Sequence, residues 1–340
     1  MTITAAPLFK PVPNWEQLPE GHIHRDVVDV AVDSLDRVFL LTRETSRISI
    51  YNRDGSFIKS WGEDLLTDRP HGITIAPDDS VYCVDEDDQT IRKFTPDGEQ
   101  LLVIGKSGVA SGTGADWSLK TSRERLASIA RGGPPFNHPT KLAVAPNGDF
   151  YISDGYGNAR VHRFSPNGEF VASWGEPGVA PGQFHLPHGI CVTPDERVLV
   201  ADRENDRIQV FSLDGKFRGE WTNLHRPTAI AMDRKGLIYV TELPWRTGQY
   251  SWVHGSIEVD EPARLSILDL EGQIVVRFGD GSSPCAAGNF AAPHGLAIDS
   301  HGDLYVAEVI YSFLIKGQKG SEMPSDDCHT IQKLVRTTDF

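Results

Sequence analysis

Positive charge is scarce in this sequence. Lys and Arg number 33 against 47 Asp and Glu, a formal net charge of −14 at pH 7. No basic face is available to replace the counterions of a phosphate backbone, which excludes a nucleic-acid partner. Long apolar runs are also missing: nothing approaches the ~18 consecutive apolar residues of a membrane helix, so no membrane partner is expected. The first residues, MTITAAPLFKPVPNW, lack a basic stretch followed by an apolar one, so no secretory leader is expected. Cysteine is sparse and scattered, at Cys83, Cys191, Cys285 and Cys328. That usage points to free thiols in a reducing compartment, and hence to the cytoplasm.

What is present is repetition. ITIAPDDSVYCVDEDDQTIRKFTPDGEQLLVIG, LAVAPNGDFYISDGYGNARVHRFSPNGEFVASWG and ICVTPDERVLVADRENDRIQVFSLDGKFRGEW are three copies of one unit. Each has four short alternating runs: a strand, a P-x-G or P-D-x turn, a strand ending in Asp, a polar loop, a third strand, a D-G or N-G hairpin and a fourth strand. Weaker copies open at Val28 and Thr228, and a last one at His294. Six four-stranded units with a period of roughly 40–45 residues predict an all-β, six-bladed β-propeller. The propeller is expected to span 25–340 as a single domain with insertions at 105–137, 243–264 and 310–328. Residues 1–24 are expected to complete the last blade, where an outer strand is missing after HTIQKLVR.

Aligned by their first turn, the six units place Val28, His71, Thr140, His188, Thr228 and His294 at one position. Histidine takes the second, fourth and sixth blades, inside the frames RPHGITIAP, LPHGICVTP and APHGLAIDS. Alternate blades of a six-fold ring are evenly spaced, and this position begins the innermost strand. Three imidazoles there can converge on the axis, and a three-histidine tripod with an open fourth position is the ligand set of catalytic zinc. Imidazole ligation alone also suits other divalent transition metals.

The loops between second and third strands reach the same rim. They carry Arg43, Glu86, Tyr156 and Arg203. Two guanidiniums can hold an anionic group, a phenol can move a proton, and Glu86 is either a second base or a partner for an arginine. The three insertions fall on this rim and would wall a pocket with Trp117, Trp245, Tyr250, Trp252 and His254.

The copies resemble NHL repeats. PHGI, HPTKLAVAPNGDFYISDGYGNARVHRFSPNGEFVASWGEPGVAPGQFHLPHG and ADRENDRIQVF resemble, more specifically, the peptidyl-α-hydroxyglycine α-amidating lyases, over most of residues 25–310. The resemblance implies a zinc enzyme that splits an N-linked carbinolamide into an amide and glyoxylate. It implies His71, His188 and His294 as zinc ligands, Tyr156 as the catalytic tyrosine, and Arg43 and Arg203 as active-site arginines. Departures are informative too. Gly295 stands where the family has an aspartate ligand of a structural calcium, Asn137 and Gly157 stand where it pairs two cysteines, and Ala292 replaces a methionine.

These readings converge on a zinc-dependent lyase, or a related hydro-lyase, cleaving a C–N or C–O bond of a small hydroxylated amide or hydroxy acid. The alternatives are a propeller hydrolase or lactonase, which calls for a carboxylate-rich calcium site, and a non-catalytic NHL scaffold that binds a partner on its top face. Substrate identity and oligomeric state are not encoded in any recognisable motif.

Overall fold

In each repeat the second strand is an uninterrupted buried run, such as VYCVD or FYISD, because sheet neighbours cover both of its faces. A computed structural model describes residues 6–279, 283–315 and 328–338, and in it every repeat forms one four-stranded antiparallel sheet. The fold is a six-bladed β-propeller. Sheet one comprises Val27–Val32, Val38–Thr42, Ile48–Tyr51 and Phe57–Trp61. Sheets two, three and four begin with Pro70–Ile75, Pro139–Val144 and Pro187–Val192, and sheet five with Pro227–Met232. In the last sheet, Pro293–Ile298, Leu304–Glu308 and Ile331–Arg336 are joined by the N-terminal strand Phe9–Val12, which pairs antiparallel with Ile331–Arg336. No helix among the described residues is long and apolar enough to cross a membrane, a statement about helices alone.

The chain forms two compact units. One comprises Met1–Glu63, Thr228–Thr247 and Glu258–Phe340, and the other Asp64–Pro227 and Gly248–Ile257. In the first, Val30, Leu40 and Tyr51 pack with Ala297 and Tyr305, and Tyr239, Leu265 and Ile267 pack with Leu304 and Val306. In the second, Val84 and Ile91 pack with Phe150 and Ile152, while Tyr151 and Val161 pack with Val200 and Phe211. Each core is thus made where the face of one sheet meets the next, so each blade depends on its neighbours for burial.

The carboxylate that ends the second strand has a repeated task. Asp85 accepts the Thr67 N–H at 2.8 Å, Asp154 the Asn137 N–H at 3.0 Å and Asp202 the His185 N–H at 2.9 Å. Glu308 accepts the N–H groups of Ala291 and Ala292 at 2.8 and 2.9 Å. These bonds fasten the segment that leads into each first strand, which is where the histidines stand.

The cysteines correct the sequence reading. Cys83 and Cys191 are in no disulfide, but Cys285 and Cys328 form one across 43 residues of sequence. The fold brings them together by docking the 283–289 segment against the last strand, where Gly288 N–H and Asn289 carbonyl both bond the Gln332 side chain. Of the insertion expected at 310–328, residues 316–327 lie outside the described residues.

Candidate functional site

The P-H-G frame is explained by how closely two blades approach. A Cβ on Gly72 would lie 2.6 Å from the Thr140 carbonyl oxygen, so the strand start accepts glycine alone. That closeness brings the His71 Nδ1 to 2.8 Å from the same oxygen. His294 repeats the arrangement in the other unit, its Nδ1 2.7 Å from the Val28 carbonyl oxygen. A carbonyl can only accept, so Nδ1 carries the proton and Nε2 presents the lone pair, the tautomer a metal ligand needs. His71, His188 and His294 are all buried, and they form one of two groups of three among the described residues that could hold a metal ion.

Tyr156 stands at the tip of the loop after Phe150–Asp154. Its hydroxyl is 3.1 Å from His71 Nε2, 3.4 Å from His188 Nε2 and 3.3 Å from Arg203 Nη1. The two imidazole rings lie 4.8 Å apart, centroid to centroid. A phenol that accepts from a guanidinium and stands within 3.4 Å of two imidazole Nε2 atoms is placed for proton movement. Its ring packs, with Trp252, against Leu126, Ile129 and Leu186. Leu126 lies in the helix Ser122–Ser128 of the 105–137 insertion, which begins with a capping box made by Thr121 and Glu124.

Arg203 is buried. Its Nε donates to Glu204 at 2.8 Å, and Glu204 also accepts Arg226 Nη2 at 2.8 Å. Burial opposes the Glu204 charge, but Arg226 and Arg203 together hold its pKa down to about 2.

The remaining expected residues divide. Glu86 accepts Arg69 Nη2 at 2.9 Å, so its visible role is that of an arginine partner. Asp87 lies 3.3 Å from Arg69 Nε, and His138 Nδ1 lies 3.6 Å from Glu86. Glu86, Asp87 and His138 form the second potential ligand group, and Arg69 already occupies both of its carboxylates, which leaves them less available to a cation. Arg43 belongs to the other unit, where it donates to Ser312 at 2.9 Å and lies 3.9 Å from Asp26. Of the wall residues, Trp117 lies tilted against His138 at 4.0 Å, Trp252 stacks on His185 at 4.1 Å, and Tyr250 lies under the Arg123 guanidinium at 3.7 Å. His254 is 3.8 Å from Asp206. Trp245 is buried, and its backbone bridges to Glu261.

The sequence reading passed over Arg69, Glu204 and Arg226. A signal existed, because Arg69 and Arg226 occupy the same slot, two residues before the histidine or threonine position.

Gly295 tests the calcium site directly. A Cβ there would lie 2.6 Å from both Asp29 Cα and Asp29 Oδ1, so glycine, which brings no carboxylate, fits the position as the neighbouring strand now stands.

A family model described as NHL repeat matches residues 136–164 and 184–211. The chain is 30% identical over 295 residues to peptidyl-alpha-hydroxyglycine alpha-amidating lyase 1 of Drosophila melanogaster, covering 78% of this chain and 47% of that protein. The chain is an NHL-repeat propeller resembling the amidating lyases. It is also 31% identical over 222 residues to NHL repeat-containing protein 3 of Homo sapiens, covering 62% of this chain and 58% of that one. The chain thus spans about half the length of these curated relatives. A gluconolactonase structure from Xanthomonas campestris superposes with a TM-score of 0.56 over 91% of this NHL-repeat chain and 85% of the other, at 15% identity, a likeness of fold alone.

Proposed function

We propose that this chain is a zinc-dependent lyase acting on a small molecule with an N-linked carbinolamide, releasing an amide and glyoxylate. The observation that carries the reading is the Tyr156 hydroxyl facing His71 Nε2, His188 Nε2 and Arg203 Nη1 within 3.4 Å. His71, His188 and His294 would hold the zinc through Nε2, His71 and His294 having their Nδ1 side on backbone carbonyls. When bound, the metal supplies Lewis-acid polarisation of a substrate oxygen. Tyr156 takes the proton of the substrate hydroxyl as the C–N bond breaks and the hydroxyl carbon becomes the aldehyde of glyoxylate, the bonding pair passes to the amide nitrogen, and Tyr156 returns that same proton to the nitrogen. Arg203 orients the substrate carboxylate, and Arg43 is assigned the same task. Neighbouring lyase-named relatives support the class of reaction, and the alternating histidine register supports the metal.

The cytoplasmic location expected from unpaired cysteines loses that support with the Cys285–Cys328 bridge. We place the protein instead in a compartment where the bridge persists.

The test is turnover of a peptidyl-α-hydroxyglycine by the purified protein, followed as glyoxylate release. The reading requires release that stops on chelation and returns with zinc. A metal-loaded protein that releases no glyoxylate contradicts it, and would favour the binding-scaffold reading that the match to NHL repeat-containing protein 3 also suits.

A further inference from the structure

The loop Asp202–Arg207 (DRENDR) holds more charge than any single catalytic role uses. Asp202 is occupied by the His185 N–H, Asn205, Arg207 and Gln209. Arg207 donates to the carbonyls of Val179, Ala180 and Gln183 and to Glu220. Asp206 accepts the Arg226 backbone N–H at 2.8 Å and the Ser251 hydroxyl at 2.7 Å. Those groups fasten the loop. Arg203, Glu204 and Arg226 remain as a separate buried trio, with Glu204 Oε1 accepting from both guanidiniums.

Charge arithmetic gives the trio its consequence. Glu204 alone would cancel Arg203 and leave a neutral pair beside Tyr156. Arg226, held on the same carboxylate, restores a net charge of +1 to the trio. Geometry adds a second consequence, because Glu204 takes the Nε edge of Arg203 and thereby turns Nη1 toward the phenol. The Arg69 cluster is the opposite case: one guanidinium shared by Glu86 and Asp87 is net negative and cannot attract an anion.

We propose that Glu204 and Arg226 are positioning residues for Arg203, Glu204 fixing the direction of its guanidinium and Arg226 supplying the charge that makes this corner a carboxylate subsite. The proposal rests on the lyase reading for the identity of the anion and deepens it by saying which residues make the substrate carboxylate bind.

The two residues have different kinetic signatures. Arg226→Gln leaves the Glu204–Arg203 contact but neutralises the trio, so KM for a peptidyl-α-hydroxyglycine and the dissociation constant for glyoxylate should rise on the order of 10-fold, with kcat nearly unchanged. Arg226→Lys keeps the charge and should restore most of the lost affinity. Glu204→Gln replaces the charged hold on the Nε edge by a weaker neutral one while leaving two cations, so kcat should fall on the order of 10- to 100-fold with KM unchanged or lower. A merely structural role would move both constants together with the unfolding temperature in both variants, and that result overturns the proposal. Glyoxylate binding, measured by calorimetry on the same proteins, separates the two claims. A parent that binds glyoxylate in an Arg226-dependent way without turnover upholds the subsite and sinks the lyase reading. A parent with turnover whose Arg226→Gln and Glu204→Gln variants match it does the reverse. A parent that neither turns over substrate nor binds glyoxylate removes both.

Discussion

Histidine and threonine alternate at one register because they satisfy the same neighbourhood differently. The Thr140 hydroxyl lies 2.9 Å from the Ser153 carbonyl of its own blade and 3.0 Å from the Pro187 carbonyl of the next, and Thr228 lies 2.9 Å from Pro293 in the same way. A threonine therefore ends within the backbone that it ties together. His71 and His294 instead spend Nδ1 on the carbonyl of the register residue of the neighbouring blade, Thr140 and Val28, and carry Nε2 beyond it, so the imidazole positions are where chemistry is available. The Tyr156 claim belongs at this scale. Tyr156→Phe keeps the ring that packs against Leu126 and Ile129, and should keep the metal, but turnover should drop by roughly two to four orders of magnitude, the range for losing acid–base help. Near-parental turnover with full metal content would remove Tyr156 from the mechanism. Arg203→Lys should also cost on the order of 10²-fold in turnover, since an ammonium cannot donate to Glu204 and the substrate side from one rigid fork. Full activity in both Arg43→Ala and Arg203→Ala would rule out their anion-holding roles.

Among the elements, the ends of the second strands organise the site. Burial pushes the Glu308 carboxyl up to about 7, against three donors at its oxygens, and pushes Asp202 up to about 6. A carboxyl whose folded pKa is raised makes the native state bind more protons than the unfolded chain, so its contribution to stability falls as pH rises through that interval. For Glu308 the interval runs from 4.5 to about 7, a contribution of about 3 kcal/mol at most. Glu204, held down to about 2, works in the other direction and loses its contribution as pH falls below 4.5. Glu308→Gln should therefore flatten the decline in denaturant stability between pH 4.5 and 7, and an unchanged slope would show that Glu308 is ionised throughout. The strand pattern that places these carboxylates was legible in the sequence, because each unit carries its own hairpin turns and alternation. The histidine register was legible for the same reason: it is a property of the repeat. What escaped was pairing across repeats. Glu204 and Arg226 are 22 residues apart on different blades, and nothing local in DREND or RPTA marks them as partners. Glu86 could be seen as an arginine partner, but its choice of Arg69 depends on the turn that precedes the strand.

For the whole molecule, stability lies in the faces shared by adjacent sheets, with one covalent tie. The Cys285–Cys328 bridge spans 43 residues, and in the chain-entropy picture closing a loop of that size contributes about 4 kcal/mol. Cys285→Ser should lower denaturant stability by up to about that amount, and reductant should then have no further effect. A variant as stable as the parent would show that the bridge constrains little. The metal should matter in the opposite way, to activity far more than to folding, because His71 and His294 are held by backbone carbonyls and the blades are packed without it. Metal content of the parent and of His188→Ala, each purified without chelator and checked for an intact fold, tests this most directly. The account requires one divalent transition metal per chain in the parent and none in the folded variant. A parent with no stoichiometric transition metal, or a variant that keeps it in full, would contradict the three-histidine centre.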